Sequence, residues 1–270
     1  MGASDSKLVF KQGIFRLSEQ KAIPADDPYW SNVSVVVGFC NLTVAYEGSN
    51  TPPIQFWELP ETSDDVFSLF SATDIRRSRD NALANLETLL LVTSSRLFTL
   101  RHHPVFPDPE LAPARHALNC IRILNRLLPF LYEGSSLESW EEEFFWITRR
   151  RRRRTKSRHD SETGVLFDEQ TEGEDIAREL PEFEDAKPLA EELIDVLLDL
   201  LFFSDFSVPK PSNGKGKVCY SIWQTGVGCN TPIASTREFE SNRTEILRLL
   251  LTLSSKAMYM ASGSCNILLL

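Results

Sequence analysis

Long apolar runs are missing from this chain of 270 residues. A helix that crosses a membrane needs roughly 20 consecutive apolar residues. The stretch from Val33 to Tyr46 is too short and too broken to qualify. A secretory leader is lacking as well, because Asp5 and Lys7 precede only the short apolar patch Leu8-Val9-Phe10. The glycosylation sequons at Asn32, Asn41 and Asn242 then read as chance matches. Cysteine is sparse. The five residues Cys40, Cys120, Cys219, Cys229 and Cys265 contain no C-x-x-C pair, which argues against a zinc ribbon or a disulfide framework and for reduced thiols in the cytosol. Catalytic patterns are equally scarce. Gly214-Lys215-Gly216-Lys217 has neither the spacing nor the following Ser/Thr of a phosphate loop. His116 and Cys120 share one face of a helix, but two ligands are too few for a metal, and Cys120 sits among core leucines. No catalytic residue, cofactor or metal site is expected, so the chain reads as non-enzymatic.

What is present supports a folded core. The composition, 42% hydrophobic and 25% charged, lies in the globular range. The net charge of −9 is unevenly spread: a basic run at Arg149–Arg154 is followed by an acidic stretch from Asp160 to Asp185. Thr62 with Asp65 and Ser71 with Asp74 predict successive helix starts, each an oxygen cap followed three residues later by an acid. Leu83, Leu86, Leu90, Ser94 and Leu97 predict a long helix over about 81–100, and Leu118, Ile121, Leu124, Leu128 and Leu131 another over about 114–131. Shorter helices are expected over 135–148 and 188–203, and a last one capped by Asn242. The wide apolar faces favour stacked helical hairpins of solenoid type.

The expected organisation is therefore all-α, a helical-hairpin, solenoid-like portion carrying a disordered charged insert. Residues 1–148 form an N-terminal helical region, and 149–185 a disordered basic and acidic linker that cannot offset the entropy of ordering. Residues 186–259 continue the same domain. The segment 33–55 interrupts it with β-branched and Gly/Pro/Asn-rich sequence, and separates Tyr29-Trp30 from Phe56-Trp57. Its ends can be encoded as a splice donor and acceptor, so it reads as a retained intron translated in frame. A mature message that keeps these codons would overturn that reading.

Two features point outward. The start Met1-Gly2-Ala3-Ser4-Asp5-Ser6-Lys7 fits the N-myristoylation pattern, with Gly2 as acceptor, Ser6 at the determining position and Lys7 after it. One acyl chain binds reversibly, at about 10⁴ M⁻¹, so stable residence needs a second contact. Leu8 to Leu17 could supply it by laying Leu8, Phe10, Ile14 and Phe15 near the interface, but a first helix packed on the core is the preferred reading of that segment. The run Arg149, Arg150, Arg151, Arg152, Arg153 and Arg154 has three readings. It is an anionic-lipid contact, a nuclear or nucleic-acid patch, or a solvated loop that pairs with the acids after it. No aromatic residue is interleaved with the arginines, so no nucleic acid partner is expected.

Several pieces in order carry a resemblance. They include Asp65-Val66-Phe67-Ser68-Leu69, Asn85-Leu86-Glu87-Thr88-Leu89, Leu118-Asn119-Cys120-Ile121-Arg122, Asp199-Leu200-Leu201-Phe202-Phe203 and Ile222-Trp223-Gln224-Thr225-Gly226. With the N-terminal motif, this set resembles the N-terminal part of the high-temperature-induced dauer formation (Hid) family, in its fungal branch. The resemblance implies a large helical protein, N-myristoylated at Gly2 and peripheral on the cytosolic face of the Golgi. It implies a scaffold role in membrane trafficking and in sorting secretory cargo or partner proteins. The partners would be the membrane, through the myristoyl group, and trafficking proteins not identified by the sequence. The family continues well beyond Tyr259, so 260–270 reads as an aberrant or truncated tail.

Overall fold

The computed structural model describes residues 3–19, 21–24, 27–31, 59–147, 149–153, 183–210, 217–218 and 235–260. The 33–55 segment, Gly2, Arg154, the middle of the charged insert and residues 261–270 lie outside them.

The local signals for helix starts act as expected. Thr62 accepts a hydrogen bond from the Asp65 amide at 3.3 Å, and Asp65 accepts one from the Thr62 amide at 3.0 Å, which opens α3 (Ser63–Leu69). Ser71 and Asp74 repeat the device for α4 (Ala72–Asn81). Each box satisfies two amides that a helix start leaves without partners. Only Ala82 separates α4 from α5 (Leu83–His102), and a proline-punctuated loop leads to α6 (Ala114–Tyr132). Ahead of these lie α1 (Ala3–Leu17) and the short α2 (Pro28–Ser31).

The region expected as one helix over 135–148 is three pieces. A 3₁₀ turn at Ser135–Leu137 leads into α7 (Glu138–Glu142), and a π-helical turn follows over Glu143–Ile147. The wider turn accompanies an aromatic cluster in which the Trp140 and Phe144 rings stack at 5.0 Å. Phe145 is buried beside them.

Beyond this region lie α8 (Leu189–Leu201) and α9 (Arg237–Ser254). Side-chain bonds fix how these helices stack. Arg122 meets Glu245 at 3.4 Å, Asn125 accepts from Thr252 at 2.7 Å, and the Tyr132 and Tyr259 rings lie 6.2 Å apart. The numbers rise together, so α6 and α9 run parallel. Arg101 pairs with Asp199 at 2.5 Å, which joins the C-terminal ends of α5 and α8. At that same end Phe106 packs on Phe203 and Phe206. The hairpin α8/α9 therefore sits on α5/α6 in the same sense, as in a helical solenoid. The all-α class with stacked hairpins holds.

One further expectation needs correction. Asn242 does not cap the last helix. Thr236 does, accepting from the Phe239 amide, and Asn242 lies inside α9, buried and donating to the Phe206 carbonyl at 2.8 Å. The Asn242–Glu245 spacing imitates a capping box, but a long-range backbone contact uses the amide. At the two ends of the charged stretch short backbone segments pair. Arg149–Arg153 forms β1 and Phe183–Pro188 forms β2, paired antiparallel with Arg151 opposite Asp185 and Arg152 opposite Glu184.

Candidate functional site

The feature nearest the lipid-acceptor motif is α1, and its placement follows from side chains on two faces. Phe10, Ile14 and Leu17 recur at spacings of three and four and are buried in the common core. Beside them, Lys7 and Lys11 reach the acids of the two capping boxes. Lys7 pairs with Asp65 at 2.9 Å, and Lys11 pairs with Asp74 at 2.5 Å. Lys11 also donates to the Leu69 carbonyl at 2.8 Å, placing a cation at the C-terminus of α3. One lysine thus joins the end of α3 to the start of α4.

The far end of α1 is fixed by Asn85 on α5. Its side-chain oxygen accepts from the Ile23 amide at 2.8 Å, and its nitrogen donates to the Leu17 and Lys21 carbonyls at 3.3 Å each. Arg16 pairs with Asp27 at 2.6 Å, and the Tyr29 hydroxyl donates to the Gly13 carbonyl. Of the proposed interfacial residues, Phe10 and Ile14 belong to the core, while Leu8 and Phe15 face outward. Lys7 of the acylation pattern carries a structural contact as well.

Burial alone would raise the Asp65 and Asp74 carboxyls, and bonds from lysine and cap residues outweigh it, holding both below their ordinary 3.8. With folded values lowered, the unfolded chain takes up these protons first. The contribution is present above about pH 4 and is lost as the pH falls through the lowered values. Hydrogen exchange should find the amides of α1 protected at pH 5 and released as the pH falls below 3.8 through the lowered values. Lys11→Met should move that release to higher pH. Equal release at one pH in both proteins would remove Asp74 from the account.

Elsewhere the chemistry is quiet. Cys120 is fully buried on α6, and burial pushes its thiol up to about 12, so no thiolate forms near neutrality. His116, one turn before it, is held neutral down to about 4, chiefly by burial and then by Arg96 and Arg115. His102 contacts the Phe98 carbonyl at 2.7 Å in the last turn of α5. Among the described residues, no group of three or more metal-ligating side chains comes together, and no helix is long and apolar enough to cross a membrane. The Lys7–Asp65, Lys11–Asp74 and Asn85 contacts escaped sequence reasoning. They span about 60 residues, and only the capping-box acids left a local signal.

Fold and site together define a helical-hairpin protein whose first helix, which includes residues 3–6 of the N-terminal M-G-x-x-x-S pattern, is clamped to the body. The chain belongs to the family described as high-temperature-induced dauer-formation protein, which it matches over residues 1–33 and 48–266. The match breaks inside the 33–55 segment, and it continues through the charged stretch and into the tail. Among curated relatives, the Ubp5-interacting protein ftp105 of Schizosaccharomyces pombe is 33% identical over 97% of this chain and 31% of its own length. Human Protein HID1 is 31% identical over 98% of the chain and 29% of its own length. The chain thus spans about three-tenths of the length of these relatives. No solved structure matches it.

Proposed function

We propose that this protein is a non-enzymatic scaffold of membrane trafficking, held on the cytosolic face of the Golgi by a myristoyl group on Gly2. In this role it sorts secretory cargo or positions partner proteins. The observation that carries the reading is the M-G-x-x-x-S start running directly into a helix tied to the fold, in a chain of this family. A lipid at such a site pulls on the whole domain. The name of the fission-yeast relative records a protein interaction, which suits a scaffold. The nuclear alternative has less support, because no aromatic residue is interleaved with the arginines and an acidic stretch follows them in the sequence.

The test compares the full-length protein, tagged at its C-terminus, with Gly2→Ala. Golgi puncta that become diffuse in the variant are expected, since a single acyl chain is worth about 10⁴ M⁻¹. Puncta that persist in Gly2→Ala would remove the lipid from the mechanism. A nuclear signal that disappears on mutating Arg149–Arg154 would support the alternative.

A further inference from the structure

We propose that the outer ridge of α1, formed by Leu8, Gln12 and Phe15, is a second membrane contact that lies on an uncharged bilayer surface beside the acyl chain. The inference rests on acylation of Gly2, the reading proposed above, and names the contact that a single chain needs for stable residence.

The ridge follows from how α1 is held. Its inner face is fixed by Phe10, Ile14 and Leu17 in the core and by the two lysine–aspartate pairs, so the opposite face must point away from the body. Leu8 is 60% exposed and Phe15 50% exposed, with exposed Gln12 between them. Spacings of four and three place the trio along one side of the helix. The Lys11 ammonium lies 4.9 Å from the centre of the Phe15 ring and braces it from beneath. At 1.5 Å per residue, Leu8 and Phe15 follow the first helical residue by about 8 and 18 Å. Both side chains are therefore carried by one short rod whose described part begins at Ala3, the residue after the proposed acceptor.

Charge and size choose the occupant. The cations of α1 at Lys7, Lys11 and Arg16 are each paired with a carboxylate of the protein, so the ridge offers little free positive charge to anionic lipid. A stable protein partner needs about 800 Å² per side with matched shape, which two apolar side chains do not provide. A bilayer needs no shape match, and the acyl chain makes the second contact effectively intramolecular.

Co-expression with an N-myristoyltransferase and flotation with vesicles of phosphatidylcholine alone test this. Mass spectrometry reads acylation separately. The acylated protein should bind equally at 0.1 and 1 M salt. Leu8→Ser/Phe15→Ser should lower its partition about thirty-fold, while Leu8→Met/Phe15→Leu should retain it. Full acylation with unchanged binding of the serine variant would overturn the ridge, and so would binding that appears only with anionic lipid and fades with salt. An unmodified Gly2 would instead overturn the acylation reading.

Discussion

Asn85→Ala is expected to detach the N-terminal segment from the body at a cost of about 3–4 kcal/mol. Asn85 is buried, and its three bonds go to backbone groups of Leu17, Lys21 and Ile23. Alanine removes one acceptor and two donations at once. A buried backbone group left without a partner costs about 1–3 kcal/mol, less where water can enter. The apolar contacts of Phe10, Ile14 and Leu17 and the lysine pairs remain, so the loss is local opening and not global unfolding. Hydrogen exchange should show protection of residues 10–23 falling by about two to three orders of magnitude, since 1.4 kcal/mol is a factor of ten. The middle of α6 should be unaffected. Protection of α1 within a factor of three of the parent would mean that Asn85 is not the clasp.

What was legible in the sequence divides by range. The capping boxes at Thr62/Asp65 and Ser71/Asp74 were readable because donor and acceptor lie within one turn. The leucine spacings of α5 and α6 were readable because one face of each is buried over five turns or so. Asn85 and Asn119 carry no readable role, and Asn242 reads as a cap that it is not. Each is a buried amide bonded to a backbone group far away in the chain: Asn119 donates to the Pro60 carbonyl, Asn242 to that of Phe206. An asparagine in a helical pattern looks like a cap or a solvated position, and only the fold shows which carbonyl it meets. The same limit hid the double use of Lys7 and Lys11. Composition forbids a core at the arginine run, but it does not forbid a backbone ladder with a segment some 30 residues on.

His116 supplies the second large effect, and its sign follows from burial. The imidazole lies on the buried side of α6, with its value lowered to about 4 from 6.5, first by burial and then by Arg96 and Arg115. Between those values the unfolded chain binds a proton that the folded chain refuses, so stability falls as the pH drops. At 1.36 kcal/mol per pH unit, the loss from pH 7.5 to 4.5 is about 2.5 kcal/mol. Urea midpoints across that range should show this slope in the parent, and His116→Gln should flatten it even if the variant is less stable throughout. A slope as steep in the variant would assign the acid sensitivity to another group. The Asp65 and Asp74 carboxyls do not interfere, because their lowered values put their titration below 3.8. An acid series therefore reads the α6 core first and the α1 clasp second. Release of the N-terminal helix while the His116 window is still open would contradict the order that the two sets of contacts require.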